Sequence, residues 1–215
     1  MTEHLHGSTM LIRIRDIVRR RIARAARALR GRSAPPDEAV HCARKQLKRA
    51  RAGLRLLREA VPRASYAREN AELRDAARPL SLVRDARVML DTLERLRARG
   101  SAARHGADLR GLRRALRDER LCLRRELLQP PQNRKRIVRS LALVKDRVGR
   151  WRPGEDHRRV FRASLKRIYR SGRRALARVE GDRSVENLHE FRKPRHPREV
   201  GDPAPAALKN PLSHR

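Results

Sequence analysis

Apolar residues recur at alternating steps of three and four along most of the chain, and no stretch shows convincing strand alternation. That rhythm predicts helices and no strands. Leu11, Ile14, Val18, Ile22, Ala25 and Leu29 mark a first helix, capped at Ser8 or Thr9 and closed by Gly31. Val40, Ala43, Leu47, Ala50, Leu54 and Leu57 mark a second, running from Asp37 to Ala60 and ended by Pro62. Ser65 caps a third, which meets Pro79; a proline there predicts a kink or a split, with a further helix from Ser81 to Gly100. A fifth segment, about 106–128, carries Leu109, Leu112, Leu116, Leu123 and Leu127 in register.

Gln129-Pro130-Pro131-Gln132 is the sharpest break in the chain and the predicted boundary between two halves. Beyond it, Ile137, Leu141, Val144 and Val148 predict a helix over 133–150, and Trp151 to Gly154 a turn. Phe161, Leu165, Ile168, Ala175 and Val179 predict a long helix over 155–180, and Ser184 opens a short last one. Pro194, Pro197, Pro203, Pro205 and Pro211 leave no room for helix or strand, so 194–215 is expected to be a disordered tail. The expected class is all-α, built from antiparallel helix hairpins.

The second helix carries two stripes side by side. One position beyond each seam residue, His41, Arg44, Lys48, Arg51 and Arg55 repeat the apolar rhythm in cationic or ionisable residues. Neighbouring residues sit about 100° apart on a helix, so this basic row borders the core instead of lying opposite it. Arg and Lys stems do cover apolar surface at a core margin. Five in register, with acids only at the helix ends (Asp37, Glu38, Glu59), repel one another and lose hydration. The pattern points to an anion lying along that edge.

Composition sharpens this picture. The 215 residues include 57 Lys and Arg against 24 Asp and Glu, a formal charge of +33, and seven of the 57 are lysine. Such a surplus opposes compaction and favours polyanionic partners. Arginine offers phosphate oxygens two donors at once. Aromatics are 2% of the chain, so the core is aliphatic and thin, and stacking platforms for single-stranded bases are few. Nucleic acid nevertheless stays the rival ligand, because phosphate contacts alone carry non-specific binding to DNA or RNA.

Other chemistry finds little support. Walker-type loops, HExxH and a nucleophile–base pairing are missing, which argues against an enzyme. Cys42 and Cys122 fit neither a disulfide framework nor a metal motif and are expected as small buried thiols in a reducing cytoplasm. His41 and His189 have Arg and Lys neighbours that repel a metal cation, so no metal and no cofactor is expected. No apolar run approaches the roughly 18 residues of a membrane span, and the first residues return to charge too soon for a signal peptide. A soluble, cytoplasmic chain is expected.

One internal repeat stands out: Val40-His41-Cys42-Ala43-Arg44-Lys45 and Leu188-His189-Glu190-Phe191-Arg192-Lys193 share apolar-His-x-x-Arg-Lys. With VHCARKQLKRARAGLRLL (40–57), ELRDAARPLSLVRDARVMLDTL (72–93), KRIYRSGRRALARV (166–179) and LHEFRK (188–193), the chain resembles the CHAD family, named for a conserved-histidine α-helical domain. The resemblance covers about residues 10–193. It implies two antiparallel helical bundles related by pseudo-twofold symmetry, here residues 1–129 and a second, incomplete bundle at 132–193. It also implies a basic surface or channel that binds inorganic polyphosphate, and an association with polyphosphate granules.

Carried over by position, the resemblance implies an anion site of His41, Arg44, Lys48, Arg49, Arg51 and Arg55 in the first half. Arg84 and Asp85 match the family's Arg-Asp pair, with a buried ion pair that orients the helix as the alternative role for Asp85. Lys166, Tyr169, Arg170, Arg173, His189, Arg192 and Lys193 match in the second half. After Lys193 the chain departs from the family, whose second histidine helix continues, and PRHPREVGDPAPAALKNPLSHR reads as a frameshifted or truncated end. An exposed seam left by that departure keeps a homo-oligomer open.

Overall fold

The computed structural model describes residues 3–30, 37–98, 106–152 and 157–192. They form seven α-helices: α1 (Glu3–Ala28), α2 (Asp37–Leu57), α3 (Arg63–Ala98), α4 (Gly106–Leu127), α5 (Pro131–Gly149), α6 (His157–Gly181) and α7 (Val185–Arg192). A 3₁₀ turn, Arg58–Ala60, follows α2. Among the described residues there is no strand. The chain is all-α, as its periodicity predicts. The tail at 194–215 lies outside the described residues.

The seam of α2 is the best covered among the described residues. Val40, Ala43, Leu47, Ala50, Leu54 and Leu57 are all buried, as are Leu11, Val18, Ile22, Ala25 and Leu29 on α1. At the α1–α2 crossing a Cβ added to Gly53 would lie 2.5 Å from Val18 Cγ2, so glycine is what lets the two backbones approach.

Pro79 neither ends nor splits its helix: α3 runs 36 residues through it. Tyr66, Leu73, Ala76, Leu80, Val83 and Ala86 are buried on both sides of the proline. Proline inside a helix costs about 3 kcal/mol, and burial of several apolar side chains at about 1.5–3 kcal/mol each outweighs that. Tertiary packing overrides the local signal.

The chain divides into two compact units, Met1–Ser164 and Leu165–Arg215. In the first, α2 packs on α1 and α3, and α5 packs on α1 and α3 in turn, so these four helices close around the larger core. The Gln129–Pro130–Pro131 turn, expected to separate the halves, lies inside this unit, and α5 beyond it completes the ring. The reason is the length of α3. From Tyr66 to Val83 it lines the larger core, and farther on it carries Leu90 and Leu93 to a separate small cluster with Leu116 of α4. α4 thus serves the far end of α3 with Leu116 and reaches the larger core only through Leu123 and Leu127, and Ile137, Leu141, Val144 and Val148 of α5 fill the place beside α1.

A buried charge pair fixes α5 to α3. Glu69 is fully buried in the register of the apolar seam, between Tyr66 and Leu73. Arg147 donates to both its carboxylate oxygens at 2.7 Å, and to Glu72 at 2.6 Å. Ser140 donates to the other Glu72 oxygen at 3.2 Å.

In the second unit, which takes α6 from Leu165 onward, Ala175 is buried but Leu165, Tyr169 and Leu176 are exposed. The α7 N-terminus is capped as its sequence predicts. Ser184 Oγ accepts from the Asn187 backbone N–H at 3.3 Å, and Asp182 Oδ1 accepts from the Ser184 N–H at 2.9 Å.

Candidate anion-binding site

Helix phase decides where the basic row of α2 goes. Seven residues advance a straight helix about 20° short of two full turns, so a row spaced by sevens drifts around the cylinder. His41 and Lys48 are exposed, and Arg55, the next in that series, is 8% exposed. The row begins in solvent and ends against the core.

Its middle members reach α3. Arg44 donates through Nε to Ser81 Oγ at 3.0 Å and through Nη2 to Asp85 Oδ1 at 3.3 Å. One helical repeat later, Arg51 Nε donates to Asn70 Oδ1 at 3.1 Å. These contacts run antiparallel along the α2–α3 seam. The acids that the α2 sequence lacks are therefore supplied in part by its neighbour. Arg49 is exposed, one position off the row.

Arg84 and Asp85 do not pair with each other. Arg84 lies 3.8 Å from Asp91, and Asp85 holds Arg44 with 61% of its side chain exposed. The buried ion pair considered for Asp85 is thus corrected to an exposed inter-helix one: a carboxylate on the outer edge of α3 keeps its hydration.

The predicted residues of the second half sit in the other unit. Lys166, Tyr169, Arg170 and Arg173 share one exposed face of α6 at helical spacing, and His189 is exposed on α7. Arg192 ends α7, and Lys193 lies outside the described residues.

Sequence reading missed the strongest charge cluster of the first unit. Asp37 opens α2, where an acid is expected merely to complement the helix dipole. Here it also receives Arg87 of α3 at 3.0 Å and Arg120 of α4 at 2.6 Å on Oδ2, and Arg124 of α4 on Oδ1. Burial pushes the Asp37 carboxyl up, but the hydrogen bond from Arg120 and the charges of Arg120, Arg124 and Arg87 outweigh it, and it is held below the usual aspartate range. Hydrogen bonds and charge from Asp91, then from Asp37, push Arg87 up. Arg113 likewise holds Glu94 below its ordinary value. The partners of Asp37 lie 50, 83 and 87 residues downstream, so no local spacing could reveal them. Glu69 did leave a trace: a carboxylate standing in a seam register is a polar residue in need of a partner.

Both cysteines, expected to be buried, are exposed. Cys42 falls beside the seam residue Ala43 and turns outward with His41, while Cys122 lies on the outer face of α4. The Cys122 thiol donates to Glu126 at 3.1 Å, and that bond pushes its pKa up. Among the described residues no group of three or more His, Cys, Asp and Glu side chains comes together, and no helix is long and apolar enough to cross a membrane.

Helical bundle, aliphatic core and cationic helix edge together define a basic all-α protein. The chain belongs to the CHAD family: the model of the CHAD domain matches residues 13–194. CHAD domains as a class bind polyphosphate. No curated protein and no solved structure matches the chain.

Proposed function

We propose that this chain is a non-catalytic binder of inorganic polyphosphate, held along the basic edge of α2 by His41, Arg44, Lys48, Arg49, Arg51 and Arg55 with Arg84. The observation that carries the reading is the row bordering the seam, whose members His41 and Lys48 are open to solvent, as is Arg49 beside it. Arg44 and Arg51 are held toward the same edge by Ser81, Asp85 and Asn70. A phosphate chain repeats its charge without bases, so it asks only for spaced cations and charge-assisted hydrogen bonds.

By the family resemblance, Lys166, Tyr169, Arg170, Arg173, His189, Arg192 and Lys193 supply a second set of phosphate ligands. Binding stores or tethers the polymer in the cytoplasm, at polyphosphate granules, and makes or breaks no bond. Support comes from family membership, from the +33 charge and from the scarcity of aromatic residues for stacking on bases.

Competition tests it. Long-chain polyphosphate bound to the protein at near-physiological salt is challenged with double-stranded DNA at equal phosphate concentration. Retention of polyphosphate is the expected result. Displacement by DNA overturns the assignment and leaves a general nucleic-acid binder.

A further inference from the structure

Between the second half of α3 and α4 lies an open concavity of about 390 Å³, lined by Arg87, Leu90, Asp91, Glu94, Arg117, Arg120 and Leu121. Two of these arginines, Arg87 and Arg120, are among the three that hold Asp37. The concavity therefore opens solvent to the guanidiniums gathered on that carboxylate.

The donors there outnumber the acceptors. Arg84 and Arg87 pair with Asp91, Arg97 and Arg113 with Glu94, and Arg87, Arg120 and Arg124 with Asp37, so six guanidiniums share three carboxylates. Arg117, exposed at the rim, adds its charge to the field on Glu94. Each guanidinium has five N–H donors, and a carboxylate has about four acceptor sites. Arg120 Nε is buried with no partner, which is costly for a charged donor. A second anion of tetrahedral shape would meet donors the protein leaves over.

The geometry points to a phosphate-type oxyanion site in the α3–α4 cleft, with Arg87, Arg117 and Arg120 as its ligands and Asp37 as a built-in competitor for the same guanidiniums. Asp37 does for the empty protein what the ligand's oxygens do for the loaded one: it keeps like charges together. A phosphate entering the cleft takes Arg120 from Asp37, and its affinity is lowered by the strength of the internal contact it replaces. A terminal or short phosphate chain suits the cleft, whereas the open α2 edge suits a long one. This site deepens the polyphosphate reading and rests on it for the identity of the physiological anion, but not for its existence.

Titration of the full chain with inorganic tripolyphosphate, followed by calorimetry, tests the site. Asp37→Asn removes the competitor, and Asp146→Asn, whose exposed carboxylate pairs with Lys145 on α5, makes the same charge change elsewhere. Asp37→Asn is expected to tighten binding about tenfold and Asp146→Asn about twofold at most, the size of a general electrostatic gain. Adding Arg117→Gln and Arg120→Gln to Asp37→Asn should abolish the difference. Equal gains from the two carboxylate variants, or a gain that survives loss of both arginines, overturn the proposal. If Asp37→Asn does not fold by circular dichroism, Arg117→Gln in the otherwise native chain decides: it must weaken tripolyphosphate binding more than Arg110→Gln, an exposed change on the same helix. Retention of long-chain polyphosphate by the native chain, scored separately, reports on the wider reading, so either can fail alone.

Discussion

Arg147→Met is the perturbation the fold should feel most. Methionine keeps much of the stem's volume and flexibility but withdraws the charge. Glu69 then stays fully buried, losing both 2.7 Å bonds and keeping only Arg68, whose Nε at 3.0 Å and Nη2 at 2.9 Å both reach Oε1 from a side chain 55% exposed. Glu72 loses its 2.6 Å bond as well. Removing one partner of a buried ion pair costs about 3–5 kcal/mol. The Arg147 side chain is 24% exposed and Arg68 remains, so the lower end applies, about 3 kcal/mol. At roughly 2–4 °C per kcal/mol for a chain of this length, the melting point should fall about 6–12 °C. Circular dichroism at 222 nm reads both the melt and the urea midpoint. Replacing the pair together, Glu69→Leu with Arg147→Met, removes the stranded carboxylate and should recover at least half of the loss. A single variant that melts within about 1 °C of the native chain refutes the reasoning. So does a double variant less stable than the single one, because then the carboxylate was never the source of the cost.

Gly53→Ala should destabilise by about 1–3 kcal/mol through the clash with Val18, although alanine in an unconstrained helix interior would stabilise; a raised urea midpoint would show that α1 and α2 do not cross there. Asp37 titrates below its usual range when folded, so it contributes stability above the unfolded pKa of about 3.9 that is lost as pH falls through the folded value. Asp37→Asn should flatten the urea midpoint's acid limb below about pH 4, and an unchanged limb would remove Asp37 from the clamp. Arg44, Lys48 and Arg51 changed together to Gln should make the slope of log affinity for polyphosphate against log salt shallower by about 2–3, and the exposed α1 residues Arg20, Arg24 and Arg27 by less than about 1. Equal changes in slope would mean diffuse attraction with no preferred edge.

Much of this was legible in the chain. Burial of Val40, Ala43, Leu47, Ala50, Leu54 and Leu57 follows from spacing alone, because a helix brings positions three and four apart onto one face whatever its neighbours are. The basic row beside that face is legible for the same reason, and so are the family and the Ser184 cap. Those are properties of one helix, and one helix is a local object.

What only the tertiary structure decided are the relations between helices. Whether Pro79 breaks α3 depends on how much apolar surface its two halves bury together. Which helix closes the ring beside α1 depends on α4 being drawn to Leu90 and Leu93 at the far end of α3. Asp37 looks like an ordinary first-turn acid until three arginines from two other helices arrive, and Arg44 looks unpaired until α3 brings Asp85. Charges attract through space and not along sequence, so their partners appear only once packing has set the distances.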